Sequence, residues 1–230
     1  LMREKAADPF TFSGQMMQEP SPEDGTFFKK EWFKRYRVGS EPDRLVKYGA
    51  SDFAVSEGKG DFTEQAIAGF DKDDQIWILD WWSGQETPDK WINAQIQMAK
   101  THEPMIWVAE GGVIGRSVEP FLLKEQQAQN CYYRLEWLTS NKDKAANARV
   151  FQALCSQGKV FIPLTPWGDD LITQLLQFPA GKYDDKVDVC GLMGRILDQT
   201  FSPHELRVEI EPPKDSYGID DEPDDEWKVV

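Results

Sequence analysis

From Arg44 onward the apolar and polar positions fall into short blocks that change period from one to the next. Leu45–Asp52 is a near-continuous apolar run ending in a turn, the pattern of a buried strand with Asp52 at its C-terminal end. Thr63–Phe70 and Gln75–Trp82 predict a second and a third strand, and the turn Asp71-Lys72-Asp73-Asp74 between them argues for antiparallel hairpins. The first three strands therefore read as a meander. Thr87-Pro88 is a cap followed by a proline suited to a first helical turn, and Trp91, Ile92, Ile96 and Ala99 form a helical stripe reaching His102 before Pro104 closes it. Met105–Ala109 is uninterrupted and apolar, runs into Glu110-Gly111-Gly112, and predicts a strand buried on both faces. After it the pattern alternates: helices near 116–129, 143–157, 167–177 and 187–197, with strands near 132–138 and 160–162 between them. This is an α/β chain with a central mixed sheet, antiparallel in strands one to three and parallel afterwards, with helices on both faces. Residues 1–43, broken by Pro9, Gly14, Pro20, Pro22, Gly25 and Pro42, show no sustained period and read as an arm, with a short helix over Phe28–Tyr36.

Composition changes this picture in a few places. At 230 residues the chain suits one well-filled domain with tails, over residues 44–202. The net charge is −14, but Glu205–Val230 holds ten acidic residues against three basic ones, half of the total. That segment, 203–230, reads as an acidic, disordered tail. Acidity argues against a nucleic-acid partner, since binding to phosphates is driven by Lys and Arg. A bound divalent metal reverses that argument locally, so net charge does not decide it. Three well-separated cysteines without a CxxC pair, Cys131, Cys155 and Cys190, form neither a disulfide framework nor a zinc knuckle. Two histidines, His102 and His204, leave little room for histidine-based chemistry. No apolar run is long enough to span a membrane, and the start Leu-Met-Arg-Glu-Lys is unlike a signal peptide, so an intracellular protein is expected.

The chemistry concentrates at Phe178-Pro179-Ala180-Gly181-Lys182-Tyr183-Asp184-Asp185-Lys186-Val187-Asp188. A Pro/Gly turn delivers three carboxylates to a helix start, and the 184/188 and 185/188 spacings place them on one face. Such a cluster is either a solvated group of acids that favours the helix dipole or a site for a hard cation such as Mg²⁺ or Mn²⁺. Asp52 and Glu110 tip the balance. If the fourth strand lies parallel beside the first, both emerge at one edge, and the helix acids need only pack against it. Five carboxylates there suit two divalent ions about 4 Å apart, an arrangement that hydrolyses phosphodiesters.

These residues resemble the nuclease domain of the large terminase subunit of tailed bacteriophages, a ribonuclease H-like family. The likeness is carried by Ala50-Ser51-Asp52-Phe53-Ala54 with Gly60-Asp61-Phe62-Thr63, by Val108-Ala109-Glu110, and by Phe178-Pro179 leading to Tyr183-Asp184-Asp185 and Asp188, and it covers residues 10–200. It implies a metal-dependent endonuclease that cuts concatemeric viral DNA, with Asp52, Glu110 and Asp185 catalytic and Asp184 and Asp188 as neighbouring ligands of two Mg²⁺ or Mn²⁺ ions. It further implies double-stranded DNA as substrate, an upstream ATPase domain, portal and small terminase subunit as partners, and the host cytoplasm as location. The chain departs from the family pattern at Tyr183, where histidine is usual, and at Asn147, where arginine is expected after Asp143-Lys144. Lys142, Lys144 and Arg149 are candidate phosphate contacts or a solvated helix face. No GxxxxGK[ST] phosphate loop occurs, so residues 1–43 are read as an arm leaving an absent ATPase domain. The alternatives are another ribonuclease H-like enzyme, such as a junction resolvase or transposase core, and a non-catalytic protein-interaction module using the acidic edge and tail.

Overall fold

The computed structural model describes residues 27–54, 62–111, 113–139 and 144–199. Gly60, Asp61, Lys142, Asp143 and the acidic tail lie outside them. Seven strands form one sheet: β1 (Lys34–Tyr36), β2 (Val46–Asp52), β3 (Thr63–Phe70), β4 (Ile76–Gly84), β5 (Ile106–Glu110), β6 (Arg134–Leu138) and β7 (Val160–Pro163). Their order is β1-β7-β4-β3-β2-β5-β6. The described helices are α1 (Pro88–His102), α2 (Val113–Ala128), α3 (Lys144–Ser156), α4 (Pro166–Gln177) and α5 (Asp185–Gln199). Among the described residues no helix is long and apolar enough to cross a membrane.

The meander is present: β2 pairs antiparallel with β3, and β3 with β4. The remaining pairings are parallel, including β2 with β5, where Ser51 stands beside Ala109. Both strands therefore end at the same edge of the sheet. Helices cover both faces. Tyr48, Ala50, Ala66, Ala68, Ile78 and Val108 point into a core shared with Phe151 and Leu154 of α3, Leu171 and Leu175 of α4, and Val189 and Met193 of α5. On the opposite face Phe53 and Ala109 meet Trp91 and Ile92 of α1 and Leu122 of α2, while Ile67 and Trp107 meet Met98 and Ala99.

Gly49 has a specific reason for being glycine. It sits opposite Trp107 in the β2–β5 register, and a Cβ there would come within 2.3 Å of the indole ring. Trp107 uses that space and donates its Nε1–H to Ser51 Oγ at 2.8 Å. The central strand pair is thus locked on the face away from the acids.

The sheet starts earlier than the sequence pattern indicates. In place of a helix over 28–36, a 3-10 turn at Lys30–Trp32 leads into β1, which pairs parallel with β7. Phe28, Phe33 and Tyr36 are buried, and the Tyr36 hydroxyl donates to the Ile78 carbonyl at 2.6 Å. Residues 27–43, expected as part of the arm, therefore contribute an edge strand and core aromatics. Packing of Phe28 against Phe151 of α3 and of Tyr36 against Trp77 of β4 outweighs the weak local pattern, since a three-residue strand is too short to show a period.

Candidate metal and active site

Three elements bring their acids together. Asp52 is the last residue of β2 and Glu110 the last of β5, and the parallel register sets them side by side at one edge. Asp52 also stands opposite Glu64 of β3, and Glu64 opposite Ser83 of β4. Directly paired residues share a face, so Glu110, Asp52, Glu64 and Ser83 form one row across the sheet. This is the face on which α5 packs, against β2, β3 and β5.

The first turn of α5 supplies the third wall. The Asp184 carbonyl accepts the N–H groups of Val187 and Asp188, which starts the helix there. Asp185 is buried, and its Oδ2 accepts the Phe62 N–H at 3.1 Å, just ahead of β3. Asp188 lies one helical turn from Asp184. Lys144, at the start of α3, donates from Nζ to Asp184 Oδ1 at 2.8 Å and to Asp188 Oδ2 at 2.7 Å. Phe62 and Tyr183 meet edge to face at the rim, with Lys182 over the Tyr183 ring.

The electrostatics follow from this crowding. Burial pushes Asp52 up to about 8, and the charges of Asp188, Glu110 and Asp185 push in the same direction, while Lys144 partly offsets them. Burial likewise raises Asp188 to about 6, against the opposing hydrogen bond and charge of Lys144. For Lys144 burial disfavours the ammonium, but the bonds to Asp184 and Asp188 outweigh it and hold the proton more firmly than usual. The site therefore carries more negative charge than its protein neighbours neutralise.

That surplus, on oxygen donors alone, is the donor chemistry of a hard divalent cation. Among the described residues no group of three or more His, Cys, Asp or Glu side chains is drawn together as a finished cage. Lys144 is the cation bonded to Asp184 and Asp188 in this arrangement. The five expected site residues, Asp52, Glu110, Asp184, Asp185 and Asp188, thus lie at one edge. Of the three expected basic contacts, the two described ones do not lie together. Lys144 is engaged with the acids, Arg149 is exposed on α3 roughly 140° round the helix from Lys144 at 3.6 residues per turn, and Lys142 lies outside the described residues.

Two charged residues of this region escaped the sequence reading. Glu64 and Lys186 are both buried and joined at 3.1 Å. Each carried a signal: Glu64 interrupts a strand that is buried at every position, and Lys186 is a cation in a first helical turn, where the helix dipole disfavours it. His102, at the end of α1, bonds Asp80 at 3.1 Å, and Cys155 and Cys190 are buried in the core.

No protein-family profile and no curated protein matches the chain. Solved structures do. The chain is similar to the large terminase nuclease from thermophilic phage G20c with bound magnesium, at 13% identity over 72% of this chain and 93% of that one, with a TM-score of 0.53. It is similar to the same phage nuclease with bound cobalt at 14% identity, the same coverage and a TM-score of 0.53. The human cytomegalovirus terminase nuclease domain, manganese-soaked and inhibitor-bound, matches at 13% identity over 78% of this chain and 98% of that one, again with a TM-score of 0.53. The backbone agreement at such low identity establishes the architecture: the chain has the ribonuclease H-like fold of the large-terminase nuclease domains.

Proposed function

We propose that the chain is a divalent-metal-dependent endodeoxyribonuclease that cleaves concatemeric viral DNA during genome packaging. The observation that carries this is the row Glu110–Asp52 at the sheet edge facing Asp185 and Asp188 across the start of α5. The phage and cytomegalovirus nucleases of the same fold, described with magnesium, cobalt or manganese, support it. Asp52, Glu110 and Asp185 would hold the metal, with Asp184 and Asp188 as adjoining ligands, and two ions are the number this many carboxylates suit. When bound, such ions polarise the phosphodiester, make water a competent nucleophile near neutral pH and stabilise the leaving oxygen.

The protein's own residues do the rest. Asp52, held near 8 by burial and its acidic neighbours, carries a proton at neutral pH until a cation offsets those charges. Asp185 is oriented by the Phe62 N–H, and Lys144 spaces Asp184 from Asp188. Of the candidate basic contacts, Lys144 would meet backbone phosphates once a metal relieves it of the acids. Among the described residues of the site none is built to read base edges, which fits cutting with little sequence preference. An ATPase domain, the portal and the small terminase subunit are the partners this reading assigns, with the host cytoplasm as the setting. Nicking of supercoiled plasmid in Mn²⁺, compared between the wild type and Asp52→Asn, tests the proposal.

A further inference from the structure

Glu64 and Lys186 are nearly inaccessible, at 1% and 4% side-chain exposure, and no step proposed above uses them. Lys186 Nζ donates to Glu64 Oε1 at 3.1 Å and lies 2.9 Å from Asp170 Oδ2 of α4. Glu64 also accepts from Trp81 Nε1 at 2.6 Å through Oε2 and from Ser83 Oγ at 2.7 Å through Oε1. Its acceptors are thus filled from β4 and α5 at once.

The neighbours of this pair are the site acids. Lys186 follows Asp185 in α5, and Glu64 lies two residues after Phe62, whose N–H binds Asp185. Consecutive residues of the helix are therefore clamped to the same short stretch of chain. Thr63 extends the connection: its Oγ1 accepts the Ala54 N–H at 3.0 Å, two residues beyond Asp52. A buried ion pair is a poor source of stability, since apolar residues of similar volume do as well or better. A lysine in a first helical turn also opposes the helix dipole. What this pair supplies is placement.

We propose that Glu64 and Lys186 are positioning residues for the carboxylate site, their ion pair setting where Asp185 and Asp188 stand relative to Asp52. This rests on the metal-site reading above. Without the pair the first turn of α5 is free to shift, and the acids no longer present a common geometry to a cation. Groups that orient metal ligands change affinity by about 10- to 100-fold when removed.

The test is Mn²⁺ binding by calorimetry on the full chain, for the wild type and for Glu64→Gln/Lys186→Met, which keeps side-chain volume and leaves no unpaired charge at either position. The double variant is expected to keep its circular dichroism spectrum, to bind Mn²⁺ about 10- to 100-fold more weakly, and to need correspondingly more Mn²⁺ for half-maximal nicking, with the rate recovering at saturation. A merely structural role would lower the melting temperature and leave the affinity of the folded fraction unchanged. Asp170→Asn, at an exposed position, covers the case in which the double variant fails to fold, and is expected to weaken binding in the same direction by a smaller factor. Wild type that binds Mn²⁺ alongside variants that bind it equally well overturns the positioning role alone. Wild type that binds no Mn²⁺ overturns both this inference and the metal site.

Discussion

Asp52 and Glu64 stand directly opposite each other on β2 and β3, on the same face of the sheet, yet they meet opposite fates. Glu64 is neutralised by Lys186 and bonded by Trp81 and Ser83. Asp52 faces Asp188, Glu110 and Asp185. One carboxylate is part of the scaffold, and its neighbour two strand-widths from β4 is left among like charges, with no cation of its own among the described residues, and keeps its proton instead.

That imbalance makes metal-free stability depend on pH. Asp52 is pushed up to about 8, so between its ordinary value of about 4 and 8 the folded state holds a proton that the unfolded chain has released. Stability from this group therefore falls as pH rises through that window, and Asp188, raised to about 6, adds to the fall in its lower half. Asp52→Asn removes the larger part. In EDTA its melting temperature is expected to exceed the wild type's by about 2–8 °C at pH 8, for a gain of about 1–2 kcal/mol, and by little at pH 4. Thermal melts at several pH values check this, and a difference independent of pH would contradict it.

Mn²⁺ is expected to reverse the order. A ligand that binds the folded state alone at 100 times its Kd adds about 2.7 kcal/mol, or about 5–11 °C for a chain of this size. Wild type should show that rise and Asp52→Asn a much smaller one. Melts with and without Mn²⁺ measure it, and equal shifts in the two proteins would argue against Asp52 as a ligand.

Lys144→Ala removes the ammonium bonded to Asp184 and Asp188. The lysine is 46% exposed, so solvent screening limits the loss to about 0.5–1 kcal/mol without metal. Saturating Mn²⁺ should narrow the gap from the wild type, because the ion takes over the counter-charge. Paired melts of the two proteins read this out, and a gap that widens with Mn²⁺ would show Lys144 acting away from the acids.

Much of this was legible in the chain. The apolar runs ending at Asp52 and Glu110 showed both strands and their polar exits, because buried strands expose chemistry only where they end. The parallel β2–β5 pairing on which their shared edge depends was only a condition in the sequence, because strand neighbours are set by tertiary packing, and it is present in the sheet. β1 was not legible, because Lys34-Arg35-Tyr36 is too short for a period and is held by pairing with distant β7. The Glu64–Lys186 pair was hidden for a related reason. Local pattern marks a charge as misplaced, but its partner lies 122 residues away and depends on the packing of α5. Asp185 was one of three equivalent acids by spacing, and its distinction came from burial and the Phe62 N–H.

Gly49 tests the scaffold apart from the site. Gly49→Ala would drive a Cβ into the Trp107 ring at 2.3 Å, with backbone on both sides of the strand resisting a shift. A loss of about 1–3 kcal/mol is expected. Chemical denaturation gives the value, and stability unchanged from wild type would show that the indole can move aside.

The most direct measurement is conversion of supercoiled plasmid to nicked and linear forms in Mn²⁺ by the wild type, Asp52→Asn, Glu110→Gln and Asp185→Asn, each confirmed folded. Metal-dependent cutting by the wild type, reduced at least 100-fold in every variant and abolished by EDTA, is the expected result, since losing a group that acts on the reacting centre removes about 3 kcal/mol or more of transition-state stabilisation. A wild type that leaves the plasmid intact, or variants that cut it equally well, would contradict the account.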